Sequence, residues 1–302
     1  MLQNKRLILF LAFSFGISWA IALAIYLTGG IEQSPALGTS GLTLAYALLV
    51  AYMWGPALGN LLTRLLTREG FGDLWLAPQI KKNWPTWLIA WLAPGIFIIL
   101  GAGLFFLLFP RYFDSTFQTI RLQIAFSGQD PTAVDIPQLL LVQALLAVGI
   151  APLVNGIATF GEEFGWRAYL LPKLVPLGVK KALLLCSIIW GVWHWPVIAM
   201  GYNYGSDYFG APWLGLLMMV WTTLSFGVFM GWLTLRGRSV WPAVIAHGAI
   251  NGIAAISTLV TKGDPSTLLG PTPIGLIASL PFVAASLWVL LSPQALAGIE
   301  LK

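Results

Sequence analysis

The stretch QLLLVQALLAVGIAPLVNGIATFGEEFGWRAYLL, residues 138–171, decides the class of fold. From Gln138 to Gly161 it carries no charged side chain, and then Glu162, Glu163 and Arg167 follow within six residues. About 20 apolar residues suffice to cross the hydrocarbon core of a bilayer. At ~1.5 Å per residue a straight helix of this length would extend roughly 51 Å, against a core of about 30 Å. Gly149, Pro152 and Gly156 offer places to bend or break it. The stretch therefore reads as a bent membrane helix with ionisable groups inside its second half.

The rest of the chain agrees. Among 302 residues, 9% are charged and 58% apolar, and the mean hydropathy is +0.83. A soluble domain averages roughly 25% charged residues, so a water-facing globule, a disordered chain and a disulfide-stapled one are all excluded. Uncharged runs mark eight candidate helices at about 7–28, 41–63, 85–109, 138–171, 182–200, 213–235, 240–261 and 273–292. We expect an all-α polytopic bundle of irregular, conical form around an intramembrane polar site. It forms one integral membrane domain over 1–302, with a motif-bearing core at 138–261. Residues 71–82 and 112–126 read as interfacial pieces, and Trp84, Trp87 and Trp91 sit where an aromatic belt belongs. The first run resembles a signal peptide, with Ala22-Leu23-Ala24 as a cleavage-like site, but it is long enough to span and is expected to be retained.

Lys and Arg alternate from side to side. Thirteen of the sixteen fall in the N-terminus, in the second, fourth and sixth loops and at Lys302, and three fall on the other side. By the positive-inside tendency both termini are cytoplasmic, in the plasma membrane if the host is bacterial. No basic stripe accompanies the net charge of +5, so no nucleic-acid partner is expected. The single Cys186 has no disulfide partner and is expected to pack in a helix.

Five polar residues remain at membrane depth: Glu162, Glu163, Arg167, His194 and His247. Such groups cost at least ~2.5–3.5 kcal/mol to insert and usually face the bundle interior at a functional site. Spacing groups them. Glu163 and Arg167 are four residues apart and share a helix face, as do His247 and Asn251, and Trp190 and His194. Gly161/Gly165 and Gly248/Gly252 repeat a small-residue spacing that permits close helix approach.

Glu162-Glu163-Phe-Gly-Trp-Arg167 resembles the EExxxR motif of the CPBP (also called ABI) intramembrane proteases, which include the CAAX prenyl endopeptidases of the Ras-converting type. The family's second motif, usually Phe-xxx-His, has its counterpart in Trp190-xxx-His194. The third, His-xxx-Asn/Asp, is matched by His247-xxx-Asn251. The resemblance covers roughly 140–255. It implies a membrane endopeptidase acting on a peptide or protein substrate, lipidated in the CAAX manner where the host prenylates proteins, with Glu162 as the base that activates water.

Peptide hydrolysis needs such a base and donors for the oxyanion, and a glutamate in a dry pocket is a stronger base than a solvated one. His194 would share the water, with Trp193 and Trp195 keeping it dry. Glu163 with Arg167 would brace the site, and His247 and Asn251 would face the oxyanion. Trp190 reads as packing, as do Thr222, Thr223 and Ser225. Two histidines and a glutamate also make a conceivable zinc set, Glu162, His194 and His247. The resemblance implies no choice between zinc and no cofactor, and the helix-borne HExxH spacing is absent. Two other readings stay open: a non-enzymatic adaptor or bacteriocin-immunity-type protein of the same family, and an ion-coupled transporter.

Overall fold

The computed structural model describes residues 2–39 and 41–299. They form, in order, α1 (Leu2–Leu27), α2 (Leu44–Met53), α3 (Gly55–Thr67), α4 (Ile80–Leu108), α5 (Gln118–Phe126), α6 (Ile136–Gly149), α7 (Ala151–Gly165), α8 (Leu171–Leu174), α9 (Val179–Trp193), α10 (Trp195–Ala199), α11 (Trp213–Gly237), α12 (Trp241–Ile253), α13 (Leu280–Leu291) and α14 (Pro293–Leu296). Among the described residues there is no strand, only two isolated bridges, Ala36 with Thr43 and Phe113 with Thr261. The chain is an all-α polytopic membrane protein, as its hydropathy predicts.

Five helical stretches are long and apolar enough to cross a membrane, and a sixth is the bent pair of α6 with the segment from Ala151 to Leu177. The eight expected crossings are not reached by that measure. The run at 182–200 breaks at His194 into α9 and α10 because Pro196 has no N–H to continue the ladder. The run at 273–292 shrinks to α13, since Pro271, Pro273 and Gly275 favour turns over helix in its first part. An apolar run records burial in lipid or protein, not helical continuity.

The bend in the decisive stretch has a local chemistry. Asp135 caps α6, accepting the N–H of Gln138 at 3.1 Å, with Pro137 in the first turn. The chain then turns by 44° between α6 and α7. Pro152 cannot donate to the carbonyl of Val148. That carbonyl accepts the indole N–H of Trp91 at 2.6 Å instead, so a residue expected in an aromatic belt serves as a tie across the bend.

Helix α7 lies against α12 through a register of side chains one turn apart. Asn155 Nδ2 donates to the Gly248 carbonyl at 3.2 Å, and Thr159 Oγ1 donates to the Val244 carbonyl at 3.2 Å. Glycines permit this approach. A Cβ on Gly248 would stand 2.4 Å from the Pro152 carbonyl oxygen, and one on Gly165 would stand 2.3 Å from Pro56 Cβ on α3.

Two of the basic residues counted in the topology tally are buried within the protein. Arg64 and Arg167, counted there among loop signals, are 1% and 0% exposed. Arg64 donates to Asn60 Oδ1 at 2.7 Å, to the Gly70 carbonyl at 2.8 Å and to Asp73 Oδ1 at 2.5 Å, while Asn60 Nδ2 donates to the Phe164 carbonyl at 2.9 Å. This chain of bonds fastens the end of α7 to α3. Lys302, the terminal charge of the tally, lies outside the described residues.

Candidate active site

Two breaks in regular helix help bring the polar residues together. The last turns of α7 carry Glu162 and Glu163, and a π-helical turn, Trp166–Leu170, follows at once and turns Arg167 inward. Such turns widen the ladder by one residue and recur at functional sites. Glu163 and Arg167 are both 0% exposed and pair at 3.0 Å through Oε1 and a guanidinium N–H. The same Oε1 lies 2.8 Å from Nδ1 of His247 on α12. The brace expected of Glu163 and Arg167 thus reaches a third residue, and through it a second helix.

The break after α9 places His194. With Pro196 ending the ladder, the Val197 N–H turns to the His194 carbonyl, and the Trp193 carbonyl is released. It accepts the Trp19 indole N–H of α1 at 3.1 Å and the hydroxyl of Tyr52 on α2. His194 Nδ1 lies 2.8 Å from the Trp190 carbonyl. A carbonyl only accepts, so Nδ1 carries the proton and Nε2 of a neutral ring keeps its lone pair.

Glu162 is 2% exposed, and its Oε2 accepts the Trp190 indole N–H at 2.6 Å. Glu162, His194, His247 and Asn251 all line one cavity of about 140 Å³, together with Tyr52 and Thr222. Four of the five expected catalytic side chains therefore share a compartment. Glu163 does not line it and is tied to it through His247. Trp193, fully buried, meets the His194 ring edge-on at 4.7 Å and lines the cavity. Trp195 does not: it packs with Ile198, Tyr204, Leu216 and Met219.

Threonines 222 and 223 and Ser225 are bonded to carbonyls, as packing residues are. Thr222 donates to Ile274 at 3.0 Å, Thr223 to Met219 at 2.9 Å and Ser225 to Thr222 at 2.8 Å. Cys186 packs in α9, its thiol 3.3 Å from the Trp166 carbonyl. Trp190 packs in the core as expected, and its N–H in addition reaches a carboxylate. Asn60, Asn155 and Tyr52 were not singled out from the sequence. An amide inside an apolar run is the signal that marks the first two, and Tyr52 carries none.

Among the described residues, no group of three or more His, Cys, Asp or Glu side chains could hold a metal ion. Glu162, His194 and His247 do not gather as a zinc set in this arrangement, and one Glu162 oxygen is engaged by an indole.

Residues 137–253 match the family described as Type II CAAX prenyl endopeptidase Rce1-like. This segment contains all three motifs and lies close to the 140–255 over which they carry the resemblance. A CAAX prenyl protease 2 of Methanococcus maripaludis is 36% identical to this chain over 97 residues, which make up 31% of this chain and 35% of that protein. The match thus spans about a third of the length of that curated relative.

Proposed function

We infer that this chain is an intramembrane endopeptidase that hydrolyses a membrane-associated peptide with a glutamate-activated water. The observation that carries the reading is the one cavity shared by Glu162, His194, His247 and Asn251. The family match over 137–253 supports it, since the relatives so described are CAAX prenyl proteases.

In the proposed reaction a water lies between Glu162 and His194. Glu162 takes one of its protons as the oxygen attacks the peptide carbonyl, and the His194 ring, its Nδ1 fixed on the Trp190 carbonyl, accepts a hydrogen bond at Nε2 and orients the water. The carbonyl oxygen becomes an oxyanion facing His247 and Asn251. Asn251 donates through its amide in any state, whereas His247, with Nδ1 turned to Glu163, donates through Nε2 only as the imidazolium. The proton held by Glu162 then passes to the leaving amine as the C–N bond breaks, which regenerates the carboxylate. The substrate is a peptide at the membrane surface, lipidated in the CAAX manner where the host prenylates proteins, and both termini of the enzyme lie on the cytoplasmic side.

Purified protein in lipid nanodiscs, given a prenylated C-terminal peptide and its unprenylated counterpart, tests the reading. Cleavage is expected, and Glu162→Ala or His194→Ala should lower kcat by roughly 100-fold or more. Full turnover by Glu162→Ala would refute the mechanism. A wild-type protein without cleavage, whose Glu162→Gln variant keeps its phenotype in vivo, would identify an adaptor or immunity protein instead.

A further inference from the structure

Trp190 contacts more of the polar site than any of the motif residues it separates. Its indole N–H reaches Glu162 Oε2 at 2.6 Å, and its carbonyl receives Nδ1 of His194 at 2.8 Å. The Arg167 guanidinium carbon sits 4.2 Å from the centre of its ring face. The ring meets His194 at 5.5 Å and His247 at 5.4 Å, both edge-on. The residue is 2% exposed.

We propose that Trp190 is a positioning residue for the water-activating pair, holding Glu162 by its indole N–H and His194 by its main-chain carbonyl. This rests on the endopeptidase reading above. Rotation of a carboxylate about its last torsion is soft, so an unheld Glu162 would present either oxygen at a range of angles. A donor on Oε2 fixes the plane of the group and leaves Oε1 to take the water's proton. Because His194 follows Trp190 by four residues, the imidazole and the indole lie on the same side at the C-terminal end of α9. A single residue thereby sets the angle between base and water-orienting ring.

The chemistry of the side chain makes the claim separable from packing. Phenylalanine, the usual residue at this place in the family that the motifs resemble, keeps the main-chain carbonyl for His194 and a ring face for Arg167. It has no N–H for Glu162. The hydrogen bond to the base is therefore a property of this chain's tryptophan and not of an aromatic residue in general.

The experiment compares wild type with Trp190→Phe, and with a full-length protein in which benzothienylalanine replaces Trp190, so that sulfur takes the place of the N–H in a ring of nearly the same shape. The second protein guards against a folding defect from lost volume. Steady-state kinetics should show kcat reduced roughly 10- to 100-fold with KM nearly unchanged, as expected when an interaction orders the reacting groups rather than binding substrate. Difference infrared spectra, with the Glu162 carboxylate band assigned by its loss in Glu162→Gln, should show that band shifted in both replacements. Unchanged kinetics, or a carboxylate band unmoved in the benzothienylalanine protein, would overturn the proposal. If wild type proves to cleave no peptide, the endopeptidase reading falls while the infrared shift still decides whether Trp190 holds Glu162.

Discussion

Glu163 is held by Arg167 at 3.0 Å and by His247 at 2.8 Å with no exposure to solvent. Its second oxygen, and Nε and one terminal nitrogen of Arg167, have no hydrogen-bond partner. The pair depends on mutual attraction to offset desolvation, and losing one member strands the other. Arg167→Met is expected to cost about 3–5 kcal/mol, visible as a lowered unfolding midpoint in detergent. Arg167→Met combined with Glu163→Gln should recover part of that loss. Much at this scale was legible in the sequence. Glu162, Glu163, Arg167, His194, His247 and Asn251 announced themselves as polar groups in apolar runs at helical spacing. Trp190 did not, since an indole counts as apolar and its acceptor lies 28 residues away. The burial of Arg64 was not legible because it falls just past the end of the expected 41–63 span, where a charge reads as a loop. It bonds to the buried Asn60 on its own helix and to the exposed Asp73 in the loop that follows.

At the scale of elements, spacing along α7 does the positioning. Asn155, Thr159 and Glu163 follow each other at intervals of four and reach Gly248, Val244 and His247 on α12. A change that separates these helices should disable the site without touching it. Gly248→Val would place a side chain 2.4 Å from the Pro152 carbonyl oxygen and is expected to destabilise the protein by roughly 1–3 kcal/mol. Cleavage should fall with it. Gly103→Ala on α4, where a Cβ meets nothing within 4 Å, should leave both unchanged. A thermal midpoint and a turnover number measured on the two variants check this contrast. The helices themselves could be read from uncharged length. Their breaks were read only in part: Gly149 and Pro152 marked the bend before α7, whereas Pro196, which breaks the helix at His194, was passed over because the run stays apolar on both sides.

Across the whole molecule, two surface loops far apart in sequence are joined through Asp114. Thr119 N–H at 3.0 Å, and the hydroxyl at 2.8 Å and N–H at 3.1 Å of Thr116, all donate to its carboxylate. Its own N–H donates to the Val260 carbonyl, which brings the loop after α4 to the end of the α12 segment. Burial raises the Asp114 pKa, but these donors outweigh it and hold the carboxyl below the ordinary aspartate value. A group so depressed contributes stability above its unfolded pKa, near ~3.9, and loses it as pH falls through the folded value. The unfolding midpoint should therefore drop on acidification from pH 6 to pH 3, and Asp114→Asn should drop less over the same interval.

The ion pair on α7 also bears on how the chain is made. Glu163 has a partner four residues later in Arg167, on the same segment, but its bond to His247 spans 84 residues. At roughly 5–20 residues per second, ribosomes need ~4–17 s to supply that histidine. For those seconds Arg167 is the one of these two partners already present to pair with the carboxylate. The arginine is thus expected to matter during insertion as well as in the finished site. Its loss should show first as poor membrane integration of newly made chains, ahead of any defect in those that mature.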